Sequence, residues 1–210
     1  VHCIPMAHPG LLDPGNRAML KKGHGFIVVT GADASWTTDR AASAGIDQEE
    51  CLMANDIVVV SAARTAVGSF NGAFANTPAH DLGAAAIKGV LERAKVDPAD
   101  VDEVIMGQIL AAGQGQNPAR QAAMKAGVPQ EKTAWGLNQL CGSGLRTIAI
   151  GMQQIASGDA RVIVAGGQES MSLSPHVAHM RNGTKMGEFK MMDSMLRDGL
   201  TDAFHGYHMG

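Results

Sequence analysis

From Met53 onward the apolar positions fall into a regular order. Ile57-Val58-Val59-Val60 is a continuous β-branched run of the kind found in strands buried on both faces. Thr77-Pro78 predicts an N-cap followed by proline at the first helical position. Behind it Leu82, Ala85, Ala86, Val90 and Leu91 recur at helical spacing. Asp97-Pro98 opens a shorter helix in the same way. Val104-Ile105-Met106 predicts a second strand and Gly113 with Gly115 a loop, after which Asn117-Pro118 starts a helix that Gly127 ends. Residues 134–137 make a short third strand. The helix that follows carries Leu145, Ile148, Ala149, Met152, Ile155 and Ala156 on one broad apolar face. Residues 161–165 form a fourth strand closed by Gly166-Gly167.

Strands alternating with helices imply βαβ units with right-handed crossovers, hence an α/β fold with a mostly parallel sheet covered by helices. After Ser170 the pattern dissolves into a Met-, His- and Gly-bearing stretch with scattered Lys and Arg, which reads as a long loop or a small subdomain. Residues 1–52 differ from the rest. They are rich in turn residues (Pro5, Pro9, Gly10, Pro14, Gly15, Gly23, Gly25, Gly31), and their one strong apolar run is Phe26-Ile27-Val28-Val29, so no fold is assigned to them. Because Met53 stands directly before a clean strand, one reading starts the native protein there and makes the leader a misassigned start, a fusion scar or a private extension. The chain therefore divides into an unassigned leader at 1–52, an α/β core at 53–171 and a loop subdomain at 172–210.

Composition narrows the function. In 210 residues, 45% apolar positions suffice for a sizeable core. A net charge of −3 with 18% charged residues gives no reason to expect nucleic acid or an anionic membrane as the main partner. No apolar run approaches the ~20 residues of a membrane helix, and the N-terminus lacks the regions of a secretory signal, so a cytoplasmic protein is expected. Cys3, Cys51 and Cys141 are odd in number and widely spread, which fits reduced thiols better than a disulfide framework. Asn182-Gly183-Thr184 reads as a turn.

The most informative stretch is Asn138-Gln139-Leu140-Cys141-Gly142-Ser143-Gly144-Leu145-Arg146, between the third strand and the next helix. It sets a thiol at a helix N-terminus, where unpaired N–H groups and the helix dipole favour negative charge, and Gly142 and Gly144 leave the approach to the sulfur open. A nucleophile on a sharp strand-to-helix turn, with a backbone N–H nearby for an oxyanion, suits acyl transfer. The competing reading is a buried cysteine acting as a small hydrophobe, and spacing alone leaves both open. His176 and His179, and His205 and His208, make two H-x-x-H pairs, but no cysteine partners or H-E-x-x-H pattern accompany them, so pocket or surface histidines are favoured over a metal site. Arg181, Lys185 and Lys190, opposed between residues 181 and 192 by Glu188 alone, form a basic stretch with Met186, Met191 and Met192. It suits either attraction of a phosphorylated cofactor, with these thioethers and that of Met195 lining a narrow apolar channel or a subunit interface, or a solvated loop with a few packed methionines. Gly113-Gln114-Gly115 lacks the third glycine of a dinucleotide fingerprint.

The stretch from Asn138 to Arg146 resembles the signature around the acylated cysteine of thiolases. Ser61-Ala62-Ala63-Arg64-Thr65 with Gly68-Ser69-Phe70, Gln116-Asn117-Pro118-Ala119-Arg120, and the run from Ala165 to Ser172 resemble thiolase segments in the expected order. The likeness covers about residues 53–210 and is strongest to the biosynthetic, short-chain acetyl-CoA acetyltransferases, through the Lys185–Lys190 loop and Gly206-Tyr207-His208-Met209-Gly210. The resemblance implies the N-terminal half of the thiolase fold, with Cys141 as the acylated nucleophile and its own N–H in an oxyanion hole. It also places Leu200, His208 and Met209 near the pantetheine or acyl part of CoA. It implies formation of acetoacetyl-CoA and CoA from two acetyl-CoA, or the reverse thiolysis. No metal or prosthetic group is needed, CoA thioesters being substrates, and the full-length enzyme is expected to be a homotetramer, a dimer of dimers, partly assembled through the basic loop.

A degradative thiolase of broader chain length is the nearest rival within the family, and a ketoacyl synthase is disfavoured by the residues after Cys141. The sequence departs from the family by stopping at Gly210, ahead of the Gly-His-Pro histidine and the Cys-x-Gly-Gly cysteine that activate the nucleophile and move protons. Little or no turnover is therefore expected of these 210 residues alone, and a non-catalytic fragment is the remaining alternative.

Overall fold

A computed structural model of the chain describes residues 57–210 and, from the leader, the backbone of Phe26–Gly31. The readings made for Cys3, Cys51 and the start at Met53 fall outside the described residues. A five-stranded sheet runs in the order β2-β1-β5-β3-β4, where β1 is Phe26–Gly31, β2 Ile57–Ala63, β3 Glu103–Gly107, β4 Thr133–Leu137 and β5 Val162–Gly167. β3 pairs in parallel with both β4 and β5, while β1 is antiparallel to both β2 and β5. β2 therefore shares the direction of β3, β4 and β5, and the sheet is mostly parallel, as the βαβ pattern predicts.

β3 lies between two partners and is buried along its whole length. Its side chains alternate between two cores, as the period of two requires. Val104 and Met106, with Val164 of β5, face α1 (Ala79–Ala94) and α2 (Pro118–Ala126), where Ala86, Ile87, Val90, Leu91, Ala119, Ala122 and Ala123 meet them. Ile105, Ile163 and Ala165 face the other way, onto Ile155 of α3 (Ser143–Ser157). The result is helix, sheet and helix in three layers.

Local signals explain the ends of these helices. Asn117 caps α2 by accepting the Arg120 N–H at 3.0 Å, proline occupies the first turn, and Gly127 closes the helix at φ 96°. Asp97 likewise caps the short helix expected after it, which is a single 3-10 turn at Pro98–Asp100. Thr77 does not cap α1. Pro78 takes the capping position, and its carbonyl receives the N–H groups of Asp81 and Leu82, while the Thr77 N–H goes to the Phe74 carbonyl and the Thr77 carbonyl accepts the Ser170 hydroxyl.

Three burial expectations change. Val59 and Val60 are 42% and 39% exposed rather than buried on both faces, because β2 ends the sheet. On α1, Ala85 faces out, whereas Gly83, Ala84 and Ile87 turn inward. On α3 the buried line is Ser143, Thr147, Gly151 and Ile155, while Leu145 is 74% exposed. Small residues win there because the helix lies almost against the sheet: a Cβ on Gly151 would stand 3.3 Å from Ile163 Cγ2. The leader contributes as well, since Phe26–Gly31, in a segment given no fold from sequence, stands between β2 and β5.

Beyond β5 the chain makes a 3-10 turn at Met171–Leu173, then a two-stranded antiparallel ladder of β6 (His176–Val177) and β7 (Met192–Asp193). A π-helical turn follows at Met195–Leu200.

Candidate active site

The carboxyl ends of the parallel strands β3, β4 and β5 all point toward the start of α3, the edge of an α/β sheet where ligands usually bind. Cys141 sits in the turn that joins β4 to α3, free and exposed. The turn is tightly wound. Asn138 Oδ1 accepts the Leu140 N–H at 2.9 Å, Gly142 donates to the Gln139 carbonyl at 3.1 Å and Ser143 N–H to the Leu140 carbonyl at 3.0 Å. Leu140 takes a left-handed conformation at φ 50°, uncommon for a residue with a branched side chain, which puts Cys141 at the apex. No side chain caps α3: the Ser143 N–H goes to the Leu140 carbonyl, and no side chain competes for the N–H groups of Gly144 and Leu145 that follow.

The close approach of α3 depends on glycines at the strand ends. Gly107 of β3 and Gly167 of β5 are register partners. A Cβ on Gly107 would lie 2.6 Å from the Ser143 carbonyl carbon, and one on Gly167 3.5 Å from Gly144 Cα. Thr147, fully buried, then ties the first turn of α3 to β5: its hydroxyl lies 2.7 Å from the Gly144 carbonyl and 3.0 Å from that of Gly166. The sequence pattern singled out neither Gly107 nor Thr147, and it gave Ser143, inside the Asn138–Arg146 stretch, no role of its own. A serine in the first turn of the helix that follows the Cys141 turn was the available signal.

Other predicted residues gather separately. Leu200 and Met209 meet through a backbone hydrogen bond from Met209 N–H to the Leu200 carbonyl at 2.9 Å, and Thr201 bridges to His208, so these candidates share one hairpin. His208 Nδ1 accepts the Gly210 N–H and His205 Nδ1 lies 2.7 Å from Asp202 Oδ2, so each has a local role. Arg181, Lys185 and Lys190 are exposed, as is Met186. Among the described residues, the sulfur of Cys141 makes no hydrogen bond or ion pair.

Two of the other motif segments serve as scaffold. Arg120 spans from α2 to the carbonyls of Lys132 and Gln130, and Asn117 Nδ2 reaches the Ala134 carbonyl, so this pair fixes the entrance to β4. The Glu169 carboxylate accepts the N–H groups of Ile109 and Leu110, and Gln168 Nε2 donates to Gln108, which laces together the loops after β3 and β5. Displaced proton equilibria also belong to the scaffold. His80 is lowered by burial and by Lys125, against the pull of Asp81, and Asp81 is lowered by its hydrogen bond from Lys125. At the amino ends of β3 and β5, burial raises Asp102. The N–H groups of Arg161 and Val162, with the charges of Lys132 and Arg161, outweigh that effect and hold it below the usual carboxylate range.

Comparison with known proteins places this geometry. Residues 57–210 match the family described as "Thiolase, N-terminal domain". The acetyl-CoA acetyltransferase of Rhizobium meliloti (strain 1021) is 77% identical over 154 residues, covering 73% of this chain and 39% of that protein. That of Shinella zoogloeoides is 72% identical over 158 residues, covering 75% and 40%. The cytosolic acetyl-CoA acetyltransferase of Rattus norvegicus is 57% identical over 154 residues, covering 73% and 39%. The chain thus spans about two fifths of the length of these curated relatives. The match runs from the first residue of β2 through the Cys141 turn to Gly210 and leaves residues 1–56 outside it, so this chain belongs to the thiolase family through its N-terminal domain.

Proposed function

We propose that the protein containing this chain condenses two molecules of acetyl-CoA to acetoacetyl-CoA and free CoA, and runs the reverse thiolysis, through an acyl-enzyme on Cys141. The observation that carries the reading is an exposed, unbridged Cys141 at the uncapped start of α3, inside the segment shared with the acetyl-CoA acetyltransferases. In the first half-reaction the Cys141 thiolate adds to the thioester carbonyl of acetyl-CoA. The CoA thiolate leaves and takes up a proton. In the second, a base removes a proton from the α-carbon of another acetyl-CoA. The resulting enolate carbon attacks the acetyl-cysteine, and the Cys141 thiolate departs. Donors at the turn stabilise the oxyanion of each addition, since preorganised N–H groups act most strongly where charge develops.

Leu200, His208 and Met209 are assigned to the pantetheine and acyl end of CoA, and the exposed cations Arg181, Lys185 and Lys190 to attraction of its phosphates. CoA is a substrate here, and the reading requires no prosthetic group. Proton transfer is assigned to residues that the longer relatives carry beyond this segment, so residues 1–210 alone turn over little. The assembled enzyme is a homotetramer in the cytoplasm.

The test is incubation with isotopically labelled acetyl-CoA, quenching, and peptide mass spectrometry, using this chain, the full-length protein and Cys141→Ser in each. The reading expects the full-length protein to carry the acetyl group on the Cys141 peptide and to lose both label and turnover in the variant. Label on another residue, or turnover that survives Cys141→Ser, would refute the nucleophile. Full-length rates from the 210-residue chain would refute the assignment of the proton-transfer groups.

A further inference from the structure

We infer that Ser143 is the positioning residue that holds Cys141 at the apex of its turn, an inference that rests on the reading of Cys141 as the nucleophile. Ser143 is only 3% exposed although it stands two residues from an exposed cysteine. Its hydroxyl oxygen accepts the Gln139 N–H at 2.8 Å and donates its proton to the Leu140 carbonyl at 2.5 Å. With its own N–H also bound to that carbonyl, Ser143 fastens both residues that precede Cys141.

The turn needs such a clamp. Leu140 is left-handed at φ 50°, a conformation that a leucine leaves unless its surroundings over-determine it. Two groups supply that constraint: Asn138 Oδ1, which holds the Leu140 N–H at 2.9 Å, and Ser143, which holds its carbonyl. The peptide units on both sides of Leu140 are thereby fixed, and so is the direction in which the chain enters Cys141.

Ser143 is not placed to do chemistry itself. A hydroxyl has one proton to donate, and this one is committed to the Leu140 carbonyl. The side chain also has no freedom to reach outward, because Ser143 packs against Gly107, where even one added carbon would come within 2.7 Å of Ser143 Cβ. The contribution of Ser143 is geometric: it fixes the two residues before Cys141 and so keeps the exposed sulfur at the apex of the turn that opens α3.

The experiment measures Cys141 alkylation by iodoacetamide, resolved by peptide mass spectrometry, in the native 210-residue chain and in Ser143→Ala, Asn138→Ala and Asn138→Ser. Ser157→Ala is the control, since that hydroxyl binds the Gln154 carbonyl at the far end of the same helix. Ser143→Ala is expected to slow alkylation by about tenfold and Asn138→Ala by about threefold, the rate equivalents of losing such hydrogen bonds. Asn138→Ser, which keeps an acceptor, restores most of the rate, and Ser157→Ala leaves it unchanged. Hydrogen exchange at the Gln139 amide is slow in the native chain and fast in Ser143→Ala. A folded Ser143→Ala with the native alkylation rate overturns the clamp. Should that variant not fold, a Gln139 amide exchanging as in free peptide in the native chain, together with a native rate in Asn138→Ala, overturns it. Iodoacetamide requires no acyl-CoA, so alkylation that depends on Ser143 in a protein that takes no acetyl group would refute the acyltransferase reading and leave the clamp standing.

Discussion

Replacing Gly107 with alanine would put a methyl group 2.6 Å from the carbonyl carbon of Ser143 and 2.7 Å from the amide nitrogen of Gly144. Both are backbone atoms in the first turn of a 15-residue helix, so no side chain can swing aside. Carbon atoms in ordinary contact stand about 3.5–4.0 Å apart, so α3 must withdraw by roughly 1 Å. Overpacking of this kind costs about 1–3 kcal/mol, which for a chain this size lowers the melting temperature by roughly 2–12 °C. Melting alone does not distinguish position from strain. Gly158→Ala at the other end of α3 is the comparison: its φ is 82° and nothing lies within 4 Å of the new methyl, so it carries strain without a collision. That strain costs about 1–2 kcal/mol. Both variants should therefore melt earlier, but only Gly107→Ala should change how fast Cys141 is alkylated. A Gly107→Ala chain that melts and reacts like the native one would refute the claim that the strand-end glycine sets the seat of α3.

Two further outcomes test the scaffold beneath the site. Asp102 accepts the N–H groups of Arg161 at 2.8 Å and Val162 at 3.1 Å, so Asp102→Asn should lose about 1–2 kcal/mol in urea unfolding. Because the Asp102 carboxyl is held low in the folded state, its contribution is fully present above the unfolded value of about 3.9 and fades as pH falls through the lower folded value. The native chain should therefore lose more stability than Asp102→Asn between about pH 6 and pH 3, and parallel losses would refute the assignment. Arg120→Lys keeps the charge but cannot span the carbonyls of Lys132 and Gln130, so about 0.5–1.5 kcal/mol should disappear in thermal or urea unfolding. A fully stable lysine variant would show that the fork is dispensable.

The apolar order of the chain was enough to place four strands of the main sheet and the three α-helices among the described residues, because those signals are local. Asn117-Pro118 and Gly127 begin and end α2 through contacts made within a few residues, and the run at Val104-Ile105-Met106 is a strand whatever surrounds it. The position of Cys141 was legible for the same reason, since a thiol beside glycines at a helix start is one short stretch of chain. What sequence could not decide is what depends on distant partners. Val59 and Val60 look as buried as Ile105, but exposure is set by position in the sheet, and β2 lies at its edge. The apolar face of α3 promised Leu145 a place in the core. The glycines at the ends of β3 and β5 draw the helix so near that the line of Ser143, Thr147 and Gly151 is buried in its stead. The run at Phe26 was visible, but not its place between β2 and β5. Hydrophobic period and caps act over a few residues and are written in order along the chain; strand order and the seat of a helix come from pairings across tens of residues, and only the folded molecule brings those together.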